Sequence, residues 1–277
     1  MQNIVTHDRL VLPKLGLGTW PMLGEECARA VQSALELGYR HIDTAAAYEN
    51  EAAVGRALEQ SPVSREAVHL TTKVWWDQLR PAAMRASLER SLDALRSDRV
   101  DLFMIHWPGR DWDLPRSIET LVALREEGKA RHIGVANFPL ALLRRTVEEL
   151  GAPLSAIQVE YHVLLGQRQL LDYARQHGMA LIAYSPLARN RIAEVAEIRD
   201  IAARHRAQPA QIALKWLLDQ PAVAAIPKAG SVANQRINLG ALEVTLDDED
   251  RALIDALPKN QRLVSPDFAP AWDACDE

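Results

Sequence analysis

Eight short apolar runs, each followed by a helical pattern, constrain this chain more than any other feature. They occupy residues 15–17, 41–45, 68–74, 100–106, 133–137, 157–161, 180–184 and 224–227. Several are apolar almost throughout rather than alternating, as Val100-Asp101-Leu102-Phe103-Met104-Ile105 shows. A strand needs that character when both of its faces are buried, as in a parallel sheet. Between the runs, apolar residues recur three and four apart, the period of a helix with one buried face. Pro81 opens one such segment, where its missing N–H costs nothing, and Met84, Leu88, Leu92 and Leu95 share its stripe. A second runs from Pro115 through Ile118, Leu121 and Val122 and stops at Gly128. Gly38, Gly151 and Gly178 end three more, where a left-handed residue is wanted. Strand then helix, repeated eight times, specifies an α/β fold: an eight-stranded parallel (β/α)8 TIM barrel.

Two features exceed that count. Residues 192–219 hold two helical patterns split at Gln208-Pro209, so one helix is extra. Residues 4–11 read as an N-terminal β-hairpin with His7-Asp8 at its turn, capping the barrel bottom. No Ser/Gly-rich linker or charge block divides the chain, so residues 1–277 are expected to form a single barrel domain. An open doubly wound sheet would need a third glycine after Gly16-Leu17-Gly18-Thr19-Trp20, and Trp20 would crowd a pyrophosphate there.

Composition removes other classes. A net charge of -5 leaves no basic footprint for nucleic acid. No run approaches the ~20 apolar residues of a membrane span. The N-terminal residues lack the basic and apolar regions of a signal peptide. The two cysteines, Cys27 and Cys275, form no C-x-x-C pair. Cys27 sits in the apolar series of a helix and reads as a buried thiol. A reducing cytoplasm is the expected compartment. No heptad or long apolar patch appears, so the oligomeric state is not readable from the sequence, with a monomer favoured.

In a barrel, chemistry gathers where strands end. Asp43 lies near the end of the second run, with Tyr48 in the loop beyond it. Lys73 lies near the end of the third, and His106 ends the fourth. An aspartate and a lysine inside apolar strands are each costly alone and tolerable as a pair. A buried ion pair that only fixes barrel register is an equally open reading of those two residues. Tyr48 and His106 favour catalysis. A phenol has a pKa of about 10 and is a poor acid at neutral pH. A neighbouring ammonium is expected to lower it, an aspartate behind keeps that ammonium charged, and a histidine opposite can orient a carbonyl.

Asp43, Tyr48, Lys73 and His106 resemble the catalytic tetrad of the aldo-keto reductases. The surrounding text is similar too: Gly38-Tyr39-Arg40-His41-Ile42-Asp43-Thr44-Ala45, Tyr48-Glu49-Asn50-Glu51 with Gly55, Asp101-Leu102 with His106-Trp107-Pro108, and Ile133-Gly134-Val135-Ala136-Asn137-Phe138. The likeness extends from about Gly16 to the C-terminus. It implies hydride transfer between a nicotinamide and a carbonyl, without metal. Tyr48 would give the proton, Lys73 and Asp43 would tune it, and His106 would orient the substrate.

The resemblance also implies an extended cofactor across the barrel mouth. Asn137 and Gln158 are similar to the residues that hold the carboxamide, alongside Asp43, and Tyr184 to the ring that stacks on the nicotinamide. Gly18 and Thr19 match the first loop. Ser185 and Leu187 match the strap over the pyrophosphate, where Ala188 and Arg189 replace the usual glycine. Ala136 stands where a serine is common. Lys228, Asn234 and Asn238 match the adenosine end, but Ala229 and Asn234 replace a serine and an arginine, and Arg236 is displaced by two positions. NADPH is therefore expected, with NADH possible and a narrow margin between them, because one cation stands where two are usual.

Trp20, Trp75 and Trp107 match pocket positions and, with Tyr48 and His106, are expected to bind substrate. Trp76 receives no role. The segment from Asn260 to Pro266 and on through Asp273 is similar to the bacterial subgroup of 2,5-diketo-gluconate and methylglyoxal reductases. It is short, which fits a small carbonyl partner. Two rivals stay open. One is a metal-dependent barrel hydrolase using His41, Asp43 and His106, since His41 and Asp43 share a strand face. The other is a nicotinamide-binding sensor without useful turnover. His162, just past the sixth run, is the nearest of the other histidines to a role, though packing explains it equally well.

Overall fold

The computed structural model describes residues 2–274; Met1 and residues 275–277, Cys275 among them, lie outside the described residues. β1 (Asn3–Val5) and β2 (Val11–Pro13) form an antiparallel hairpin with His7 and Asp8 in its turn. Eight strands follow: β3 (Leu17–Gly18), β4 (His41–Asp43), β5 (His69–Val74), β6 (Val100–Ile105), β7 (Ala130–Ala136), β8 (Ala156–Glu160), β9 (Ala180–Tyr184) and β10 (Val223–Ala225). Each pairs in parallel with its neighbours in chain order. Parallel bridges Leu15–Ala225 and Gly18–Lys228 join the first strand region to the last and close the ring. A Cβ on Gly18 would stand 2.6 Å from the Ile226 carbonyl oxygen, so this seam needs glycine.

The connecting helices are α1 (Gly24–Glu36), α2 (Glu51–Gln60), α3 (Pro81–Leu95), α4 (Leu114–Glu126), α5 (Leu140–Arg144), α6 (Arg168–Gln176), α7 (Ala196–Arg204), α8 (Pro209–Asp219), α9 (Val232–Gly240) and α10 (Asp248–Asp255). The extra helix is one of the α7–α8 pair between β9 and β10. Gly38, Gly128 and Gly178 carry positive φ just past α1, α4 and α6, and Gly151 does so past the π-helical turn Arg145–Glu149 that continues α5, as the sequence pattern requires.

Two cores explain why the strands are apolar on both faces. Inside the ring, Leu102, Met104 and Ile182 interleave with Ala156, Ala180 and Ala224, and Ile4, Leu10 and Leu12 of the hairpin plug the bottom. Outside, Phe103, Ile105, Ile133, Val135, Ile157 and Leu181 meet the helices. Each fully buried large aliphatic stabilises the fold by about 1.5–3 kcal/mol. Asp8 fastens the hairpin: its Oδ2 accepts from Ser155 Oγ at 2.5 Å and faces His132 Nδ1 at 2.9 Å. With the bottom plugged and all strands parallel, the ends of β4 to β9 converge on one open mouth.

Candidate active site

Asp43 is the last residue of β4, and a single 3-10 turn (Ala46–Tyr48) brings Tyr48 back over the mouth. Strand alternation sets the rest. On β5, Thr72 faces outward and donates to Glu51 of α2 at 2.5 Å, which turns its neighbour Lys73 inward. Lys73 Nζ donates to Asp43 Oδ1 at 2.5 Å, to the Thr44 carbonyl at 2.9 Å and to the Tyr48 oxygen at 3.5 Å. His106 follows β6 directly, and its Nε2 also lies 3.5 Å from the Tyr48 oxygen. The four residues thus converge on one phenol. The Lys73 and Asp43 side chains are 0% and 2% exposed, so this is a buried ion pair.

Burial governs the protonation of the phenol and of the two groups beside it, Lys73 and His106. It pushes Tyr48 well above its ordinary value of 10, and the nearby Asp43 charge adds to that. The expectation of a lowered phenol is therefore reversed in the resting site: Tyr48 is a fully protonated donor at neutral pH. Burial also lowers Lys73, against the opposing pull of Asp43 and Glu51. It drives His106 well below 6.5, helped by the Lys73 charge, so the imidazole is neutral. His106 Nδ1 is buried without a partner. Placing the ring hydrogen on Nε2 leaves Nδ1 a bare acceptor, not an orphaned donor, and aims the N–H at the mouth.

Amides floor the mouth beside this group. Gln158 reaches across the ring from β8, and its Nε2 donates to Asp43 Oδ2 at 2.8 Å. Asn137, just past β7 at positive φ, donates to the His106 carbonyl at 2.9 Å and accepts from the Tyr184 hydroxyl at 2.8 Å. Thr19 donates through its hydroxyl and its N–H to the Asp43 carbonyl, each at 3.0 Å. Above them opens a cleft of about 840 Å³.

The cleft gathers nearly every residue singled out from the sequence. Gly18, Thr19, Trp20, Asp43, Tyr48, Trp75, His106, Trp107, Asn137, Gln158, Tyr184, Ser185, Leu187, Lys228 and Asn234 all line it. Lys73 lies behind Tyr48, hidden from the cleft. Asn238 is buried in α9 and Arg236 is exposed there; neither lines it. Ala188, Arg189 and Asn190 all adopt positive φ, the conformation glycine takes without strain, at the place where the strap departs from the usual glycine. The Arg189 guanidinium sits 5.8 Å from the Trp20 ring. The Lys228 ammonium lies 4.0 Å from Glu26 of α1, an anion that no motif places there. His41 is turned to the barrel bottom, with Nδ1 3.3 Å from the Pro13 carbonyl, so it does not join His106. Among the described residues no three His, Cys, Asp or Glu side chains converge as metal ligands, and the hydrolase alternative is not favoured.

The short tail lies over the pocket as its length implies, but its wall residues are not among those the sequence points to. Phe268 packs 5.4 Å from the Trp75 ring, 5.2 Å from Trp76 and 5.5 Å from Trp107. Leu263, Val264, Ser265 and Pro266 continue that wall. An apolar residue in a proline-flanked tail was the only signal. Trp76, given no role, is the stacking partner of Phe268.

A closed β/α barrel with a Tyr-Lys-Asp-His cluster at its mouth defines a class, and the chain belongs to the aldo/keto reductase family, whose model matches residues 14–259. It is an NAD(P)H-dependent oxidoreductase. Among its relatives, methylglyoxal reductase DkgB of Escherichia coli O157:H7 is 38% identical over 268 residues, covering 95% of this chain and 100% of that one. Methylglyoxal reductase DkgA of Yersinia pestis is 40% identical, covering 95% of each. A crystal structure assigned as a 2,5-diketo-D-gluconic acid reductase B superimposes with a TM-score of 0.94 at 38% identity, over 99% of this chain and 98% of that one. No helix among the described residues is long and apolar enough to cross a membrane.

Proposed function

We propose that this chain reduces small aldehydes and ketones with NADPH, dicarbonyls such as methylglyoxal and 2,5-diketo-gluconate among them, with Tyr48 as the general acid. The single observation that carries the reading is the phenol oxygen at the cleft floor, 3.5 Å from both Lys73 Nζ and His106 Nε2.

The donor set fits a nicotinamide nucleotide. Gln158 has its Nε2 on Asp43 and its carbonyl oxygen left for a carboxamide. Asn137 keeps a second N–H beside it. The half-buried Tyr184 ring, fixed through its hydroxyl, offers a flat face for stacking. Ser185 and Leu187 would strap the pyrophosphate with Gly18 and Thr19 opposite, and Lys228 and Asn234 would meet the adenosine end; Asn238, buried in α9, would support that end from outside the cleft lining. Bound there, the reduced nicotinamide supplies a hydride.

The residues of this chain then handle the proton. His106 offers its Nε2–H to the carbonyl oxygen and fixes it against Tyr48. The alkoxide that forms is a much stronger base than a phenolate, so a phenol raised by burial still gives up its proton. Lys73 stabilises the phenolate left behind, and Asp43 holds Lys73 in place and charged. Trp20, Trp75 and Trp107 wall the substrate side. A short wall of this kind admits small polar carbonyls, in keeping with the relatives' names.

The test is oxidation of NADPH by the purified protein against a panel of methylglyoxal, 2,5-diketo-gluconate and simple aldehydes and ketones, repeated with NADH. Turnover with dicarbonyls, higher with NADPH, is expected. Cofactor binding without turnover of any carbonyl would overturn the reading in favour of a sensor.

A further inference from the structure

Glu160 ends β8 with its carboxylate fully buried, and the proposed chemistry does not use it. Its surroundings are unusual for a buried anion. The Leu263 N–H donates to Oε1 at 2.9 Å and to Oε2 at 3.2 Å, and the Val264 N–H donates to Oε2 at 3.0 Å. His162 Nε2 lies 3.1 Å from Oε1. Because His162 Nδ1 accepts from the Leu164 N–H, the ring hydrogen belongs on Nε2 and points at Glu160. The Arg262 guanidinium stands 4.0 Å from Oε2 and stacks 3.8 Å from the Trp272 ring. A buried carboxylate is stable only where such donors replace water. Here most of them come from one short stretch of tail.

That stretch leads straight into the substrate wall. Before it, the tail is zipped to the loop after β8: Gly166 N–H donates to the Lys259 carbonyl at 3.0 Å, and Gln261 N–H to the Leu164 carbonyl at 2.9 Å. Leu263 and Val264 themselves line the cleft, followed by Ser265, Pro266 and Phe268. We propose that Glu160 is a positioning residue that sets the substrate wall, its carboxylate fixing the register in which Leu263 to Phe268 are laid over the mouth. Glu160 at the end of β8 also pairs in register with Tyr184 at the end of β9, so the anchor of the wall and the floor of the cleft sit side by side on neighbouring strands. A carboxylate suits this post because it accepts from two successive amides at once. A neutral amide side chain offers one oxygen and turns a donor toward the tail.

The kinetic part of the test rests on the reductase reading; the exchange part does not. In Glu160→Gln, the Leu263 and Val264 amides should exchange hydrogen at least about 100-fold faster than in the wild type, with the barrel strands unchanged. KM for methylglyoxal should rise about tenfold, while kcat and the NADPH Kd stay within about twofold. Unchanged exchange at those two amides overturns the proposal, and so does faster exchange with an unchanged KM. Should the variant fail to fold, wild-type exchange decides. Protection of both amides by about 100-fold over unstructured rates is required, and unprotected amides overturn the anchor. A wild type without any turnover would defeat the reductase reading and leave the exchange test standing.

Discussion

Asp43→Asn probes the ion pair behind the phenol. In the native site both Asp43 oxygens are used, Oδ1 by Lys73 at 2.5 Å and Oδ2 by Gln158 at 2.8 Å, with Lys73 wholly and Asp43 almost wholly buried. The amide removes the charge and one acceptor and leaves a buried ammonium whose remaining anion is Glu51, farther off. Breaking a buried pair in this way costs about 3–5 kcal/mol at neutral pH. At about 2 °C per kcal/mol for a chain of this length, the melting temperature should fall by about 6–10 °C. The pH dependence supplies the sharper check. Burial already holds Lys73 below 10.5, and Asp43 is the largest influence raising it. Without Asp43 it falls further, so the folded state binds fewer protons than the unfolded one. Stability then rises with pH between the folded and unfolded values of Lys73. The deficit against the wild type should therefore shrink as pH is raised from about 7 to about 10. Urea unfolding at both pH values measures it. A loss below about 1 kcal/mol, or a deficit that does not change with pH, would refute a dry, mutually dependent pair.

Two further outcomes follow from the same site. Burial keeps His106 neutral far below pH 6.5, so kcat/KM should show no inflection of its own between about pH 6 and pH 8; an inflection abolished by His106→Asn would contradict the neutral imidazole. Glu26 shares the Lys228 ammonium at 4.0 Å, so Glu26→Gln should raise the NADPH-over-NADH ratio of kcat/KM by about two- to fivefold, and an unchanged ratio would remove Lys228 from cofactor choice.

The barrel was legible because its constraint is local. A strand buried on both faces is apolar at nearly every position, and the Val100–Ile105 stretch carries that in five of its six residues. Glycines at positive φ marked where helices stop, and Gln208-Pro209 marked the extra helix. Asp43, Lys73 and His106 stood out because a polar side chain in such a strand demands a partner. What stayed hidden depends on distance in the chain. Phe268 meets Trp75 and Trp107 across a long separation, and no period announces that contact. Glu160 carries no local signal, because the amides that hold it belong to residues 263 and 264. The direction of the Tyr48 shift was misread for a related reason. Adjacency to Lys73 can be read from the strands, whereas the depth of burial that outweighs it emerges only when the mouth is assembled.

The central claim is that the phenol of Tyr48 delivers the proton. Tyr48→Phe keeps the ring beside His106 and removes only the oxygen that Lys73 and His106 converge upon. With NADPH and a dicarbonyl, turnover should fall by about 10²–10⁴-fold while the cofactor Kd moves less than about twofold. Turnover matching the wild type would contradict the account.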